Sequence, residues 1–351
     1  VNDVVDAGLH VTTAPGASSV LTALQLSGLP TDRFVFLGFL PPRSAGRKRV
    51  LQDWRDATAS LVVFETAKRM TAFLSDAAEV FGDRDAALTR ELTKRHEQVI
   101  RATLPELSEH QSRQLSRESL IHTGMTTLEI PLMWEWPVAK CLGLIRETEG
   151  LELVDEALAS GRGLILLAPH LGNWELAGLF FSSRYRMAAL YSSPHIRELE
   201  DYMIRVRGRL GSELVRGDRK GLIRLMAILK EGGVAGILPD QSPRSKTNAY
   251  APFFGIDVLT MTLVNKLMRK TGATALVTYA ERLPGAQGFR IRVTRAEPGL
   301  DHDDPVVAAT ALNRSIEAVV RHCPAQYQWE YKRLRHRPPG QPNPYNQGRT
   351  C

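Results

Sequence analysis

Apolar and polar positions along this chain fall into two patterns. Short continuous apolar runs alternate with longer stretches of helical spacing, and together they predict an α/β protein. The clearest run is Gly163 to Ala168. It is too short for a helix, apolar on both faces as a central parallel strand requires, and ended by Pro169, which has no N–H for a ladder. Asn173 is a good N-cap, and Trp174 onward, with Glu175, Leu176, Ala177, Leu179 and Phe180, predicts a helix. Val234 to Leu238 repeats the pattern and ends in Pro239-Asp240-Gln241. Other strands are predicted at Leu9–Thr13, Arg33–Leu37, Ser60–Phe64, Asp85–Arg90, Met187–Tyr191, Ala275–Ala280 and Phe289–Thr294. Helices are predicted at Ser18–Ser27, Val50–Asp56, Lys68–Val80, Ser108–Gly124, Leu151–Ser160, Leu199–Leu210, Lys220–Lys230, Thr260–Thr271 and Pro305–His322. Pro15-Gly16 reads as a turn, Pro41 to Lys48 as a basic loop, and Val4 to Gly8 as the end of a helix that the chain enters midway. The character changes near residue 105, so the expected domains are 1–105 and 106–351.

Composition narrows the partners. The 351 residues are 43% hydrophobic and 24% charged, with a net charge of +7 that favours anionic partners: nucleic acid, phospholipid headgroups, a phosphorylated glycolipid or an acidic carrier protein. Three cysteines, Cys141, Cys323 and Cys351, are without metal-ligand spacing, so neither a disulfide framework nor a metal site is expected and a reducing compartment is the default. No apolar run reaches the roughly 18 residues of a membrane span, and no signal peptide or transmembrane helix is expected. Ile130 to Ile145, with Trp134 and Trp136 but interrupted by Glu135, Pro137 and Lys140, suits a membrane interface or a core-packing helix pair.

The candidate chemistry follows from placement. His170 lies on the loop after a strand, where open α/β sheets hold their ligands, and Glu175 follows in the first helical turn. A carboxylate bonded to one ring nitrogen fixes the tautomer and raises the basicity of the other, so this His-x4-Glu spacing suits a general base. Asp240 ends its strand as His170 does, so both converge on one sheet edge unless Asp240 serves only as a turn or cap residue. Acyl transfer also needs cationic or N–H donors for the oxyanion. Arg207 and Arg209 flank Gly208 and are the candidates, against the alternative of a solvated basic face. Phe253 and Phe254 in Pro252-Phe-Phe-Gly255 wall an acyl groove or fill core. The aromatic and basic tail from Gln326 to Arg337, including Lys332 and Arg333, suits a phosphate-bearing glycolipid at a membrane and equally suits RNA. Serine-hydrolase elbows, Walker loops, His-Glu-x-x-His and glycine-rich dinucleotide motifs are absent from the sequence.

These residues carry two resemblances. Leu104-Pro-Glu-Leu-Ser108, Gly161-Arg-Gly163, Pro169-His-Leu-Gly-Asn-Trp-Glu175, Arg207-Gly-Arg-Leu-Gly211, Leu238-Pro-Asp-Gln241, Pro252-Phe-Phe-Gly255, Thr271-Gly-Ala273 and Gln328-Trp-Glu-Tyr-Lys-Arg333 occur in that order. Residues from about 102 to 345 thereby resemble the late lipid A acyltransferases, the lauroyl/myristoyl branch of the lysophospholipid-acyltransferase-like superfamily. The resemblance implies a mixed sheet flanked by helices. It also implies transfer of a fatty acyl chain from acyl carrier protein to a hydroxyl of a lipid A precursor at the cytoplasmic face of the inner membrane; the membrane helix usual in that family is not in this sequence, so the expected association is peripheral. Carried over by motif, His170 is the base, Glu175 its partner, Arg209 the oxyanion or donor-phosphate ligand with Arg207 as fallback, and Asp240 a fourth catalytic residue. Asn173, Arg207, Phe253, Phe254, Lys332 and Arg333 make the substrate-binding set, and no metal or organic cofactor is implied.

Residues 1 to about 105 resemble the C-terminal half of the ribosomal RNA small-subunit 2′-O-ribose methyltransferase of the tetrapyrrole-methylase superfamily. The resemblance rests on Pro15-Gly-Ala-Ser18, Ser27-Gly-Leu-Pro-Thr-Asp-Arg-Phe34, Gly38-Phe-Leu-Pro41, Phe64-Glu-Thr-Ala-Lys-Arg69 and Arg90-Glu-Leu-Thr-Lys94. The expected architecture is a small α/β half-methylase domain followed by the acyltransferase domain. The glycine-rich segment that helps hold S-adenosylmethionine in that superfamily is not in this sequence, so S-adenosylmethionine is not expected to bind, and neither DNA nor RNA is an expected partner. The alternatives are acylation of a different glycolipid, or an inactive fusion retaining an RNA-binding, methyltransferase-like domain.

Overall fold

The computed structural model describes residues 19–27, 29–66, 69–87, 96–193, 197–243, 248–342 and 345, in two units divided after Leu92. The first unit runs α1 (Ser19–Ser27), β1 (Phe34–Phe39), α2 (Ser44–Asp53), β2 (Ser60–Phe64) and α3 (Met70–Phe81). β1 and β2 pair in parallel through the α2 crossover, and Leu40, Leu51 and Val80 form the core beneath them. The expected basic loop at 41–48 is largely helix. Arg47 is buried and donates through Nε to Asp76 at 2.7 Å, and Lys48 pairs with Glu79, so α3 neutralises the charges that made the run look like a loop. Residues 85–87 form no strand; the rest of the strand expected at Asp85–Arg90 lies outside the described residues, as do Val4–Gly8, Leu9–Thr13 and Pro15-Gly16.

The second unit begins with α4 (His96–Thr103), α5 (Glu109–Glu135), α6 (Val138–Leu142), β3 (Ile145–Glu149) and α7 (Glu152–Ala159). There follow β4 (Leu164–Leu167), α8 (Trp174–Ser182), β5 (Met187–Tyr191), α9 (Arg197–Arg207), β6 (Glu213–Arg216), α10 (Arg219–Lys230) and β7 (Val234–Ile237). The remainder is β8 (Asn248–Phe253), β9 (Ile256–Met261), α11 (Leu263–Thr271), β10 (Thr274–Arg282), β11 (Phe289–Arg295) and α12 (Pro305–His322). Seven strands form one sheet in the order β3-β11-β10-β4-β7-β5-β6, mixed as expected, with β10 and β11 antiparallel and the other pairings parallel. β4 is central and buried at every position. Ile165 and Leu167 face one core with residues of α10, α11 and α12, while Leu164 and Leu166 face the other with α7 and α8. Burial on both faces is what its unbroken apolar run requires.

Several expectations are corrected. Val99, Ile100 and Leu104 are buried in the second core, so the boundary falls after Leu92 and not at 105/106. The helix expected to end at Gly124 continues to Glu135 through Pro131, capped at its start by reciprocal bonds between Ser108 and Gln111. Ile130–Ile145 is the end of α5 and the short α6, a helix pair that packs Met133 and Cys141 into one core as the second reading had it, and only Ile145 belongs to the edge strand β3. β6 and the β8–β9 hairpin were not predicted. The hairpin turns at Phe254 and Gly255, both at positive φ (49° and 72°), as a two-residue turn between twisted strands demands. Thr260 lies in β9, and α11 starts only at Leu263.

Candidate active site

Two parallel strands ending in step bring the chemistry together. β4 and β7 pair with Leu167 opposite Ile237, and three residues past those partners come His170 and Asp240. Each loop turns at the same offset because each carries its proline at the same place, Pro169 and Pro239. The outcome is a direct contact: His170 Nδ1 lies 2.9 Å from Asp240 Oδ1, and the His170 backbone N–H donates to Oδ2 at 2.9 Å. Burial alone would raise the Asp240 pKa. The charge and hydrogen bonds of His170 more than offset this and hold it below the usual carboxylate value. As a carboxylate only accepts, Nδ1 carries the proton and Nε2 is left as an acceptor, taking a hydrogen bond from the Gln241 amide at 3.1 Å. The His170 side chain keeps 12% of its exposure and Asp240 only 3%, so the ring reaches the surface and its partner does not. The ring packs edge-on against Trp174.

Glu175 does not partner His170. Its carboxylate forms an ion pair with Arg207, through Arg207 Nη2 and through Nε at 3.0 Å, and also accepts from Trp134 Nε1 at 3.0 Å. A residue in the first turn of α8 projects from the helix, whereas the His170 ring turns toward the neighbouring strand, so Asp240 takes the place expected for Glu175. Arg209 is corrected too. It lies beyond the end of α9, and its guanidinium donates to the carbonyls of Met133, Trp134 and Trp136 at 2.6, 2.9 and 2.8 Å, closing the C-terminus of α5. Arg209→Ala is therefore expected to lower stability by about 1.5–3 kcal/mol while leaving turnover within a few-fold of the parent, as thermal unfolding beside an acyl-transfer assay would show. Of the two arginines, Arg207 is the one at the α8 start.

Asn173 is buried and fully occupied: Oδ1 caps α8 by accepting from Leu176 N–H at 2.9 Å, and Nδ2 donates to Glu129 Oε2 at 3.0 Å. It orders the loop and is not open to substrate. Phe253 and Phe254 are core residues packed on Tyr327 and Trp329, so the groove reading fails for them. Arg333 is buried as well, donating to Leu259 O and Thr260 Oγ1, so it fixes β9 and cannot contact a phosphate from solution; Lys332 is exposed.

The tail is thus mostly structural, and it reaches the site. Gln328 N–H donates to His170 O at 3.0 Å and Gly172 N–H donates to Gln326 O at 3.1 Å, while Leu171 and Tyr327 make an antiparallel bridge. Tyr327, buried, has its pKa pushed well above the ordinary phenol value, first by burial and then by the Asp240 charge. Gly172, at φ 61°, is needed because a Cβ there would lie 2.0 Å from Ala280 O.

Sequence reasoning missed the support beneath this loop. Arg282, at the end of β10, grips Glu129 of α5 through Nε at 2.8 Å and Nη2 at 2.5 Å, and donates to Thr126 Oγ1 at 3.0 Å and His122 Nδ1 at 2.9 Å. Burial, then the Arg282 charge, lowers the His122 pKa. Glu129 passes this restraint to Asn173. Neither residue belongs to a local motif; Gln241 and Tyr327 do, and adjoin residues already singled out.

Comparison with known proteins identifies the family. The family model for bacterial lipid A biosynthesis acyltransferase matches residues 55–336. The lipid A biosynthesis palmitoleoyltransferase of Escherichia coli (strain K12) is 29% identical over 269 residues, 75% of this chain and 87% of the relative. The lauroyltransferase of the same organism is 28% identical over 259 residues, 72% and 83% of the two chains. A different relative, the ribosomal RNA small subunit methyltransferase I of Mycobacterium tuberculosis (strain ATCC 25618 / H37Rv), is 47% identical over 105 residues, 30% of this chain and only 37% of that protein. With its family match spanning most of the second unit and the whole His170–Asp240 sheet edge, the chain belongs to the bacterial lipid A biosynthesis acyltransferase family.

Proposed function

We propose that this protein transfers a fatty acyl chain from acyl carrier protein to a hydroxyl of a lipid A precursor, at the cytoplasmic face of the inner membrane. The observation that carries the chemistry is the Asp240–His170–Gln241 chain of hydrogen bonds, which leaves Nε2 as the basic nitrogen. In this reading the acceptor hydroxyl takes the place of the Gln241 amide at Nε2 and gives up its proton as its oxygen attacks the thioester carbonyl. Asp240 steadies the imidazolium. The tetrahedral oxyanion forms beside the N-terminal end of α8, whose free N–H groups and dipole favour negative charge. Collapse expels the carrier thiolate, which recovers the proton from His170. Arg207, its charge partly met by Glu175, is the cation available to an anionic group of donor or acceptor. The reading uses no metal or organic cofactor and gives the methyltransferase-like segment no part in the chemistry.

The test is mass spectrometry of lipid A from a host deprived of its own late acyltransferase and expressing this chain. An added acyl mass that disappears with His170→Ala is expected. A well-folded parent that adds no mass overturns the acceptor, and an acyl mass on another glycolipid reassigns it.

A further inference from the structure

Helix α5 is inside out. The side it buries carries Ser112, Ser116, Ser119 and Thr126 beside only Leu115 and Met133. The side it exposes carries Ile121, Met125, Leu128 and Leu132, at 47, 40, 43 and 38% exposure. At 100° per residue the four exposed positions fall within a narrow stripe, on the opposite side from the serines, and it runs for about 16 Å along the helix. A helix end that served only to fold this unit would show the reverse pattern, since burying hydroxyls gains little and exposing four large apolar side chains in a row leaves them wet. Two of the buried hydroxyls reach out of the helix, Ser119 to Tyr327 O and Thr126 to Gly172 O, so this side grips the loop and strap around His170.

The charges at the ends of the stripe are cationic. Arg117 is exposed on the turn before Ile121. At the other end Lys140 lies over the Trp136 ring at 3.5 Å and Arg205 over the Tyr202 ring at 5.3 Å, both exposed, with the Trp134 ring packed on Tyr202. The nearby acids are engaged: Glu135 accepts from Tyr202 Oη and Glu118 from Gln114. An apolar stripe with cations at its ends and aromatic rings at one of them matches the interface of an anionic phospholipid bilayer, where apolar side chains enter the acyl boundary and cations meet headgroup phosphates.

We infer that the Ile121–Met125–Leu128–Leu132 face of α5 is the surface that seats this protein on an anionic lipid bilayer. The purpose of the contact rests on the lipid acceptor proposed above; its geometry does not. The same helix holds Glu129 against Asn173 and Trp134 against Glu175, so the face that touches lipid is rigidly tied to the loop that bears His170.

Vesicle co-sedimentation of the full chain tests this, with equal parts phosphatidylcholine and phosphatidylglycerol against phosphatidylcholine alone. The parent is expected to prefer the anionic vesicles. The double variant Met125→Glu/Leu128→Glu should lose roughly tenfold or more in partitioning, with unchanged thermal unfolding. Ile223→Glu, at an exposed apolar position on α10, should bind as the parent does. Equal partitioning of the double variant and parent would overturn the inference, as would a dimer in sedimentation velocity without lipid that the double variant abolishes, which would assign the face to a second copy. Acyl transfer to an acceptor in detergent micelles is measured alongside. A parent inactive there counts against the enzymatic reading alone, whereas the vesicle result decides this one.

Discussion

Asp240→Asn is expected to lower kcat/KM for acyl transfer by roughly 10²–10⁴-fold without unfolding the protein. An asparagine of the same shape can keep the hydrogen bond from the His170 backbone. It does not hold the ring as the carboxylate does: its amide can present an N–H to Nδ1, which then becomes the acceptor and sends the proton to Nε2, the nitrogen that must take one. It also removes the charge that stabilises the imidazolium in a site where Asp240 is buried. His170→Ala should cost at least as much, and the two losses should not add, since they remove parts of one device. Glu175→Gln should weaken the hold on Arg207 and raise KM more than it lowers kcat. Steady-state kinetics on the three variants separate the roles. A Glu175→Gln variant as impaired in kcat as His170→Ala, beside a nearly active Asp240→Asn, would return the pairing to Glu175.

The second large effect is on stability. Glu129→Leu strands Arg282, whose side chain is almost wholly buried, without its bidentate acceptor. Breaking one partner from such a pair costs about 3–5 kcal/mol, so the melting temperature should fall on the order of 10 °C. The loss should reach activity, because Asn173 loses its acceptor at the same carboxylate. Glu129→Leu combined with Arg282→Met should recover much of the stability, since an apolar pair is no longer charged, yet not the activity. Thermal and denaturant unfolding of both variants check this; a Glu129→Leu protein within 1 kcal/mol of the parent, on the same scale, would show that the network adds little.

What could be read from the sequence follows from range. β4, α8 and the offset of His170 are local: a four-residue apolar strand, a proline and an N-cap within a dozen residues. α12 and β5 were equally plain, with their bounds predicted to the residue. The partner of His170 was not local. Spacing along one chain favoured Glu175, whereas the sheet register chose Asp240, and register depends on which strands become neighbours. Arg209 misled for the same reason, because three carbonyls at the end of α5 compete for it and none of them is visible in its own neighbourhood. Arg333 and the two phenylalanines were misread because charge and aromaticity speak of surface binding until the hairpin and tail are known to cover one another.

The strap across His170 has a consequence in time. During synthesis the loop at 170 leaves the ribosome long before Gln326 to Gln328, whose backbone atoms complete its hydrogen bonds. The sheet can form from what has already emerged, yet the loop at 170 lacks these bonds until Gln326 to Gln328 have been made. A chain cut before the strap is expected to fold in large part while its loop at 170 lacks the bonds to Gln326 and Gln328. The loop is complete only when the end of the unit returns to its middle.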